Sequence, residues 1–355
     1  MSEEKVQVAL KAAEKAGFKL VRGSELKPFE YISCGLPQLD ELGGPVLGRY
    51  IVRYGSPGSG KSTLSNRYIA WAQKTFPERL CLKVDAENKE EPAWSEAQGV
   101  DLSQLLLLQG MRTMEDYFNA VKVLVQQGNL SYVVVDSISA MTPKDVLETS
   151  EGKEKTLDNN QVAADAKKIQ QFIKMTNSDF FRANTACELI AQVRTGGIGG
   201  SFTYETYSGG HMMKHMAIQV WHHERTGRAD STYEKIKVEG HDVKVLRDYT
   251  IRCTLEKDTG PDETKRAFAK FVVGVGFDDF RAQLRAAIRL GVLEETSKGR
   301  YRWTDRNAAD VKIHGFDQAT AYFQDNPEEY ERSKALVLEA HYTDNPVARE
   351  DTEEA

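Results

Sequence analysis

Gly55-Ser56-Pro57-Gly58-Ser59-Gly60-Lys61-Ser62 stands between an apolar run, Tyr50-Ile51-Val52-Arg53-Tyr54, and a helical one that begins Ser62-Thr63-Leu64-Ser65-Asn66. The octapeptide fits G-x-x-x-x-G-K-[ST] in full, in the strand-then-helix setting where that motif has a mechanism. Its glycines let backbone N–H groups curl around phosphate oxygens, and the helix N-terminus adds partial positive charge. Lys61 is expected to neutralise β- and γ-phosphate charge and the Ser62 hydroxyl to ligate Mg²⁺, with Thr63 among the nucleotide-binding residues. ATP with Mg²⁺ is the expected ligand of Gly55 through Thr63.

On either side of this segment, strand-like and helical runs alternate. LCLKVDA (80–86), YVVVDS (132–137) and ELIAQV (188–193) read as strands, with helices after Lys61, near 113–127 and near 160–176. That alternation predicts a parallel α/β sheet. IQVWHHE, YTIRCTLE and FAKFVVGVGF follow with no long helix between them, which predicts that the sheet ends in antiparallel strands.

A phosphate loop needs an acid at the end of a neighbouring strand to hold the metal shell, and Asp136, closing Tyr132-Val133-Val134-Val135, is placed for it. Hydrolysis needs a further group to orient the attacking water. Asp85 and Glu87, at the end of LCLKVDA-Glu87, both qualify, and strand alternation points both to one face.

The chain has 355 residues, 40% from the hydrophobic set and 28% charged, values of a folded globular protein rather than a disordered or fibrous one. Four domains of different character are expected. Residues 1–30 hold a short helix with Val6, Leu10 and Ala13 at helical spacing, either a docking arm or a helix packed on its own domain; 31–277 hold the ATPase core. Residues 278–343 form a small α+β domain: a helix with Phe280, Leu284, Ala287 and Ile288 on one face, a YRW strand, and a last helix near 322–340. The tail 344–355 carries five carboxylates and one arginine and reads as solvated and disordered. Cys34, Cys81, Cys187 and Cys253 form no C-x-x-C pair, so no zinc site or disulfide framework is expected. No apolar run approaches the roughly 18 residues of a membrane span, and MSEEKVQVAL lacks a signal-peptide core. The expected location is the cytoplasm. A net charge of −6 gives no whole-chain signature of nucleic-acid binding, so any such site must be local.

In order and spacing these motifs resemble the RecA recombinase family, its phage members included. The resemblance runs from Ile32 to about Ala340 and rests on ISCGLPQLDELGG, VDAENKEEPAW, VVVDSISAMTPK, IAQVR, YSGGHMMK and QDNPEEYE. It implies a RecA-type ATPase that forms helical filaments on single-stranded DNA, pairs it with homologous double-stranded DNA and exchanges strands, with single-strand-binding and loading proteins as further partners. By this resemblance Glu87 is the water-activating carboxylate and Asp85 is structural. Trp94, in Glu91-Pro92-Ala93-Trp94, stacks on adenine, against a reading as a buried core tryptophan. Gln192 senses the γ-phosphate and passes its state to the following loop.

That loop, Arg194 to Gly210, holds six glycines with Phe202, Tyr204 and Tyr207 and no apolar periodicity, so it is expected to be mobile without ligand. Arg194, Gly196, Gly197, Gly199, Gly200, Gly209 and Gly210 with the three aromatics suit a single-stranded phosphate backbone and unstacked bases. Glu148 to Asn160 occupies the place of the family's first DNA loop but carries mixed charge. His215 stands where bacterial relatives usually have phenylalanine at the subunit boundary. Lys257 is the counterpart of a family lysine that reaches the neighbouring subunit's ATP, with Lys265 and Arg266 as alternatives. Arg281, Arg285, Arg289, Lys298, Arg300 and Arg302 make a local basic patch that either grips duplex phosphates or is a wet helix face. Two rival readings remain open: a RecA-fold ring helicase or regulatory switch, and a recombination mediator with a silent phosphate loop.

Overall fold

The computed structural model describes residues 3–17, 20–148, 164–197, 203–207, 210–238, 241–258, 265–305, 311–313 and 317–344. Most of Glu148 to Asn160, and all of 344–355 but Asp344, lie outside them. The chain divides into two units, Met1–Glu30 and Tyr31–Ala355. In the first, the helix Glu3–Lys15 has Glu3 and Glu4 in its first turn and Lys15 in its last, the charge order that its dipole favours. Val6, Leu10 and Ala13 lie on its less exposed face.

The second unit is built on a large sheet. Its strands are β1 (Tyr50–Gly55), β2 (Leu80–Asp85), β3 (Leu105–Leu108), β4 (Leu130–Asp136), β5 (Ala186–Gly197), β6 (Thr203–Tyr207), β7 (Gln219–Arg225), β8 (Thr232–Val238), β9 (His241–Lys257), β10 (Lys265–Val272) and β11 (Gly276–Phe277). The order across the sheet is β3-β2-β4-β5-β1-β7-β9-β10-β11, with β6 paired to β5 and β8 to β9. β3 through β7 in that order are parallel, and β9, β10 and β11 are antiparallel. Parallel neighbours need crossovers. The helices Lys61–Thr75, Pro92–Ala97, Met114–Gln126, Ala164–Ala183 and Gly210–Met216 supply them.

Helices cover both faces of the parallel block, so its strands are apolar on both sides. In β4, Tyr132 and Val134 enter the layer under Leu64, Tyr68 and Ile69, whereas Val133 and Val135 enter the layer under Phe118, Val121, Phe172 and Ile173. One ion pair sits inside this apolar sheet. Fully buried Arg53 of β1 bonds through Nε to Glu188 of β5, which also accepts from Tyr132 Oη and, at 2.9 Å, from Ser65 Oγ. All four cysteines are buried.

The observed sheet corrects the expected one at its turning point. IQVWHHE is β7, and it runs parallel to β1 with Gly55 opposite His223; antiparallel pairing begins only at β9. The seven-residue helix Gly210–Met216, too short to stand out in the sequence, carries the chain across and makes the parallel entry possible. YTIRCTLE is the second half of a 17-residue strand whose first half pairs with β8 in a ribbon exposed on both sides.

After Asp278, whose Oδ1 accepts the Arg281 N–H at 3.0 Å, comes the helix Asp279–Arg289. β12 (Leu293–Ser297), β13 (Arg300–Trp303) and β14 (Val311–Lys312) form a separate small sheet. Leu284, Trp303, Ile313, Phe323 and Val337 make its core. The single last helix expected near 322–340 is two, Asp317–Asp325 and Pro327–Asp344, because Pro327 has no N–H to continue the first and is well placed to begin the second. In the basic patch, Arg281 pairs with Asp278 at 3.0 Å and Arg289 pairs with Glu41.

Candidate nucleotide site at the strand ends

Because β1, β2, β4 and β5 are parallel neighbours, their C-terminal ends share one rim, where open α/β sheets bind ligands. Register sets Gly55 beside Gln192 and Asp85 beside Asp136. A cavity of about 350 Å³ opens there, lined by Pro57, Lys61, Glu87, Trp94, Asp136 and Gln192 among others.

The phosphate loop admits only glycine at two of its turns. A Cβ on Gly55 would lie 2.1 Å from the His223 carbonyl oxygen, and Gly60 has φ of +75° with its Cβ position 2.5 Å from Ile251 Cδ1. Lys61 Nζ donates to the Gly55 and Ser56 carbonyls, each at 2.9 Å. Burial lowers its pKa, with Asp136 and Glu87 pulling the other way.

Ser62 hydrogen-bonds to Asp136 across the gap between loop and strand end. Burial raises the Asp136 carboxyl above its ordinary pKa, opposed by Ser62 and by the Lys83 ammonium. A carboxylate costly to keep charged, with a hydroxyl beside it, is an oxygen donor set suited to Mg²⁺. The peptide between Asp136 and Ser137 is cis.

The two carboxylates that strand alternation could not separate have different surroundings. Asp85 Oδ2 accepts the Glu90 N–H and the Gln109 Nε2, both at 2.7 Å, and so fixes the loop after β2. Glu87, beyond the strand end, accepts Ser137 Oγ at 2.9 Å and Gln192 Nε2 at 3.0 Å on Oε1, and Lys89 Nζ at 2.8 Å on Oε2. Burial pushes its pKa up, but the hydrogen bonds from Lys89 and Ser137, helped by Gln192, leave it below the ordinary value.

Trp94 is half-buried on the cavity wall, its Nε1 donating to Thr63 Oγ1 at 3.3 Å. Beneath it, buried Lys83 donates to Asn66 at 2.7 Å and to Glu90 at 2.5 Å, and Asn66 donates to Ser95 at 2.7 Å.

β5 continues past Gln192 into the glycine-rich segment. Arg194 through Gly197 pair antiparallel with Thr203 through Thr206 as a ribbon, regular structure where the composition predicts none. The β-forming sequence of TYETY accounts for it. Tyr204 is in β6, and Gly210 begins the helix that follows. Gly199, Gly200, Phe202 and Gly209 lie outside the described residues. Tyr207 packs on Tyr54 at 4.6 Å between ring centroids, and burial pushes its phenol up to about 12. Lys257 Nζ donates to the carbonyls of Lys214, exposed His215 and Ala217 at 2.7, 3.0 and 2.6 Å, capping the helix Gly210–Met216. Lys265 and Arg266 open β10.

Sequence reasoning missed Lys89, His223 and Tyr249. Lys89, two residues from Glu87, was visible as the nearest cation; the other two reach the phosphate loop only through strand pairing.

The RecA N-terminal domain family matches residues 6–252. The chain belongs to the RecA family. Among its curated relatives is the protein RecA of Rickettsia bellii, 28% identical over 348 residues, covering 95% of this chain and 93% of the relative. The protein RecA of Colwellia psychrerythraea is 29% identical over 303 residues, covering 84% and 80%. That of Brucella abortus is 28% identical over 314 residues, covering 87% and 80%. The RecA-family match takes in the phosphate loop, Glu87, Asp136, Gln192 and the β5–β6 ribbon. Among the described residues, no helix is long and apolar enough to cross a membrane.

Proposed function

We propose that this chain is an ATP-dependent recombinase of the cytoplasm that assembles as a filament on single-stranded DNA, pairs it with a homologous duplex and exchanges strands. The observation that carries this reading is the path from Glu87 through the Gln192 side chain into β5 and the ribbon that β5 forms with β6. Glu87 takes a proton from the water that attacks the γ-phosphate of ATP. The loop Gly55 to Ser62 and Lys61 hold the phosphates, Trp94 packs on the adenine, and Gln192 reports the γ-phosphate to the ribbon, whose Arg194 and glycines bind DNA. Ser62 and Asp136 would hold Mg²⁺, which when bound would supply neutralisation of phosphate charge. ATP then tightens DNA binding by the same factor as DNA tightens ATP binding, because both bias one element.

Lys257 would serve a neighbouring subunit's ATP only after leaving three carbonyls of its own chain, so assembly and the helix Gly210–Met216 are linked through it. The small C-terminal domain gathers duplex DNA through the patch of Arg281, Arg285, Arg289, Lys298, Arg300 and Arg302. Electron microscopy of the full chain with single-stranded DNA and a non-hydrolysable ATP analogue tests the reading. Helical filaments are expected; closed rings would favour a helicase or switch, and unassembled monomers a mediator.

A further inference from the structure

Two side chains behind the nucleotide cavity grip the phosphate loop from the far side. Tyr249 of β9 donates its hydroxyl to the Gly58 carbonyl at 3.0 Å, and Nδ1 of His223 in β7 stands 3.3 Å from the Ser59 carbonyl. Both are buried.

The role of each ring nitrogen of His223 follows from its partners. Nε2 lies 2.7 Å from Nη1 of Arg53, and a guanidinium can only donate, so Nε2 is the acceptor and Nδ1 carries the proton offered to Ser59. Burial, with Arg53 and Lys61 adding to it, holds the imidazole well below its ordinary pKa, so the ring is neutral. Arg53 is itself fixed by Glu188, and Glu188 by Tyr132 and Ser65. An unbroken polar chain thus runs from the middle of the sheet to the loop. Tyr249 is held independently: its ring stacks on Phe271 at 5.1 Å, and the Arg225 guanidinium lies 4.2 Å from its centroid.

In a planar trans peptide the C=O and the next N–H point opposite ways. Fixing the Gly58 and Ser59 carbonyls toward β9 and β7 sets the two peptides that follow: the Ser59 N–H donates to the Ser56 carbonyl at 3.3 Å and closes the turn of the loop, and the Gly60 N–H is turned away from β7. A backbone cradle binds an anion most tightly when its N–H groups are set before the anion arrives.

We propose that Tyr249 and His223 are positioning residues that preorganise the phosphate loop for nucleotide from the antiparallel flank of the sheet. This rests on the reading of Gly55 to Ser62 as the ATP site. Their contribution falls on ground state and transition state alike, so it is seen in affinity and KM rather than in kcat.

The test uses the full chain with ADP and ATP. Tyr249→Phe removes one oxygen; it is expected to weaken ADP binding and raise KM for ATP roughly three- to tenfold, a hydrogen bond's usual net worth, with kcat and melting temperature essentially unchanged. His223→Leu is expected to lose at least as much affinity, and His223→Asn, whose amide N–H can replace that of Nδ1, to recover part of it. Wild-type affinity in Tyr249→Phe overturns the role of Tyr249. Equal affinity in folded His223→Leu and His223→Asn overturns that of His223, and if His223→Leu does not fold, a wild-type affinity in His223→Asn and Tyr249→Phe together overturns the proposal. A fall in kcat with unchanged affinity also overturns it. Retained ATP affinity in Lys61→Ala would instead discard the site itself, which keeps the two failures distinct.

Discussion

The side-chain amide of Gln192 donates to Oε1 of Glu87 across 3.0 Å, joining the strand that leads to the glycine-rich ribbon to the carboxylate proposed to activate water. An amide so placed can exchange this acceptor for a phosphate oxygen and carry the difference along its own backbone, whose N–H at Gln192 is held by Ser139 Oγ at 3.1 Å. Gln192→Ala is expected to keep ATP binding and basal hydrolysis but lose most of the stimulation by single-stranded DNA and the ATP-dependent gain in DNA affinity. ATPase rates with and without DNA check this; stimulation to the wild-type extent sinks it.

Glu87→Gln is expected to retain ATP and DNA binding while hydrolysis falls on the order of 10²-fold or more, the loss typical of a general base. Asp85→Asn should disturb the loop held by Glu90 and Gln109 without reproducing that split. Single-turnover hydrolysis of both variants decides, and the reverse pattern would reassign the base to Asp85.

The pH profile follows from the lowered pKa of Glu87. Its carboxylate is the active form, so the acid limb of hydrolysis lies below the ordinary glutamate pKa. Lys89→Met removes a hydrogen bond and a nearby positive charge that favour the ionised form, so the acid limb of kcat should move to higher pH. The shift should stay under about one pH unit because the Lys89 ammonium is exposed and screened. An unmoved limb would show that the pair does not persist in solution.

Lys61→Ala should abolish nucleotide binding, since the loop has no other charged side chain to offset the charge of two phosphates. Equilibrium binding of a fluorescent ATP analogue is the direct measure, and wild-type affinity would refute the assignment of the site.

Glu188→Ala should cost about 3–5 kcal/mol of stability, because it leaves the Arg53 guanidinium buried and uncompensated. Urea unfolding of the purified chain gives the number. A loss below about 1 kcal/mol would mean that water enters and solvates the arginine.

The parallel half of the fold was legible because its strands are apolar on both faces and its helices are long; YVVVDS and LCLKVDA need no partner to be recognised. The ribbon of β8 and β9 was not, since Lys235, Lys237 and Lys244 alternate with Ile236 and Val243 on strands exposed on both sides, a pattern with no core face to mark it. Lys61, Ser62 and Asp136 could be chosen from motif and strand end alone. The choice between Asp85 and Glu87 needed the resemblance, because alternation ends where the strand does, at Asp85. His223 and Tyr249 touch the phosphate loop across 164 and 191 residues of chain, a distance that no local pattern spans.

The four cysteines have a practical side. Burial raises the Cys34 and Cys187 thiols well above their ordinary pKa and pushes Cys81 to about 11 and Cys253 to about 12. Thiol-directed dyes attack the exposed thiolate, so near neutral pH the folded native chain presents them with almost no target. A cysteine placed at Lys235, midway along the exposed ribbon, would then take up the label alone, and fluorescence could follow the assembly of single subunits in a background that needs no cysteine removed.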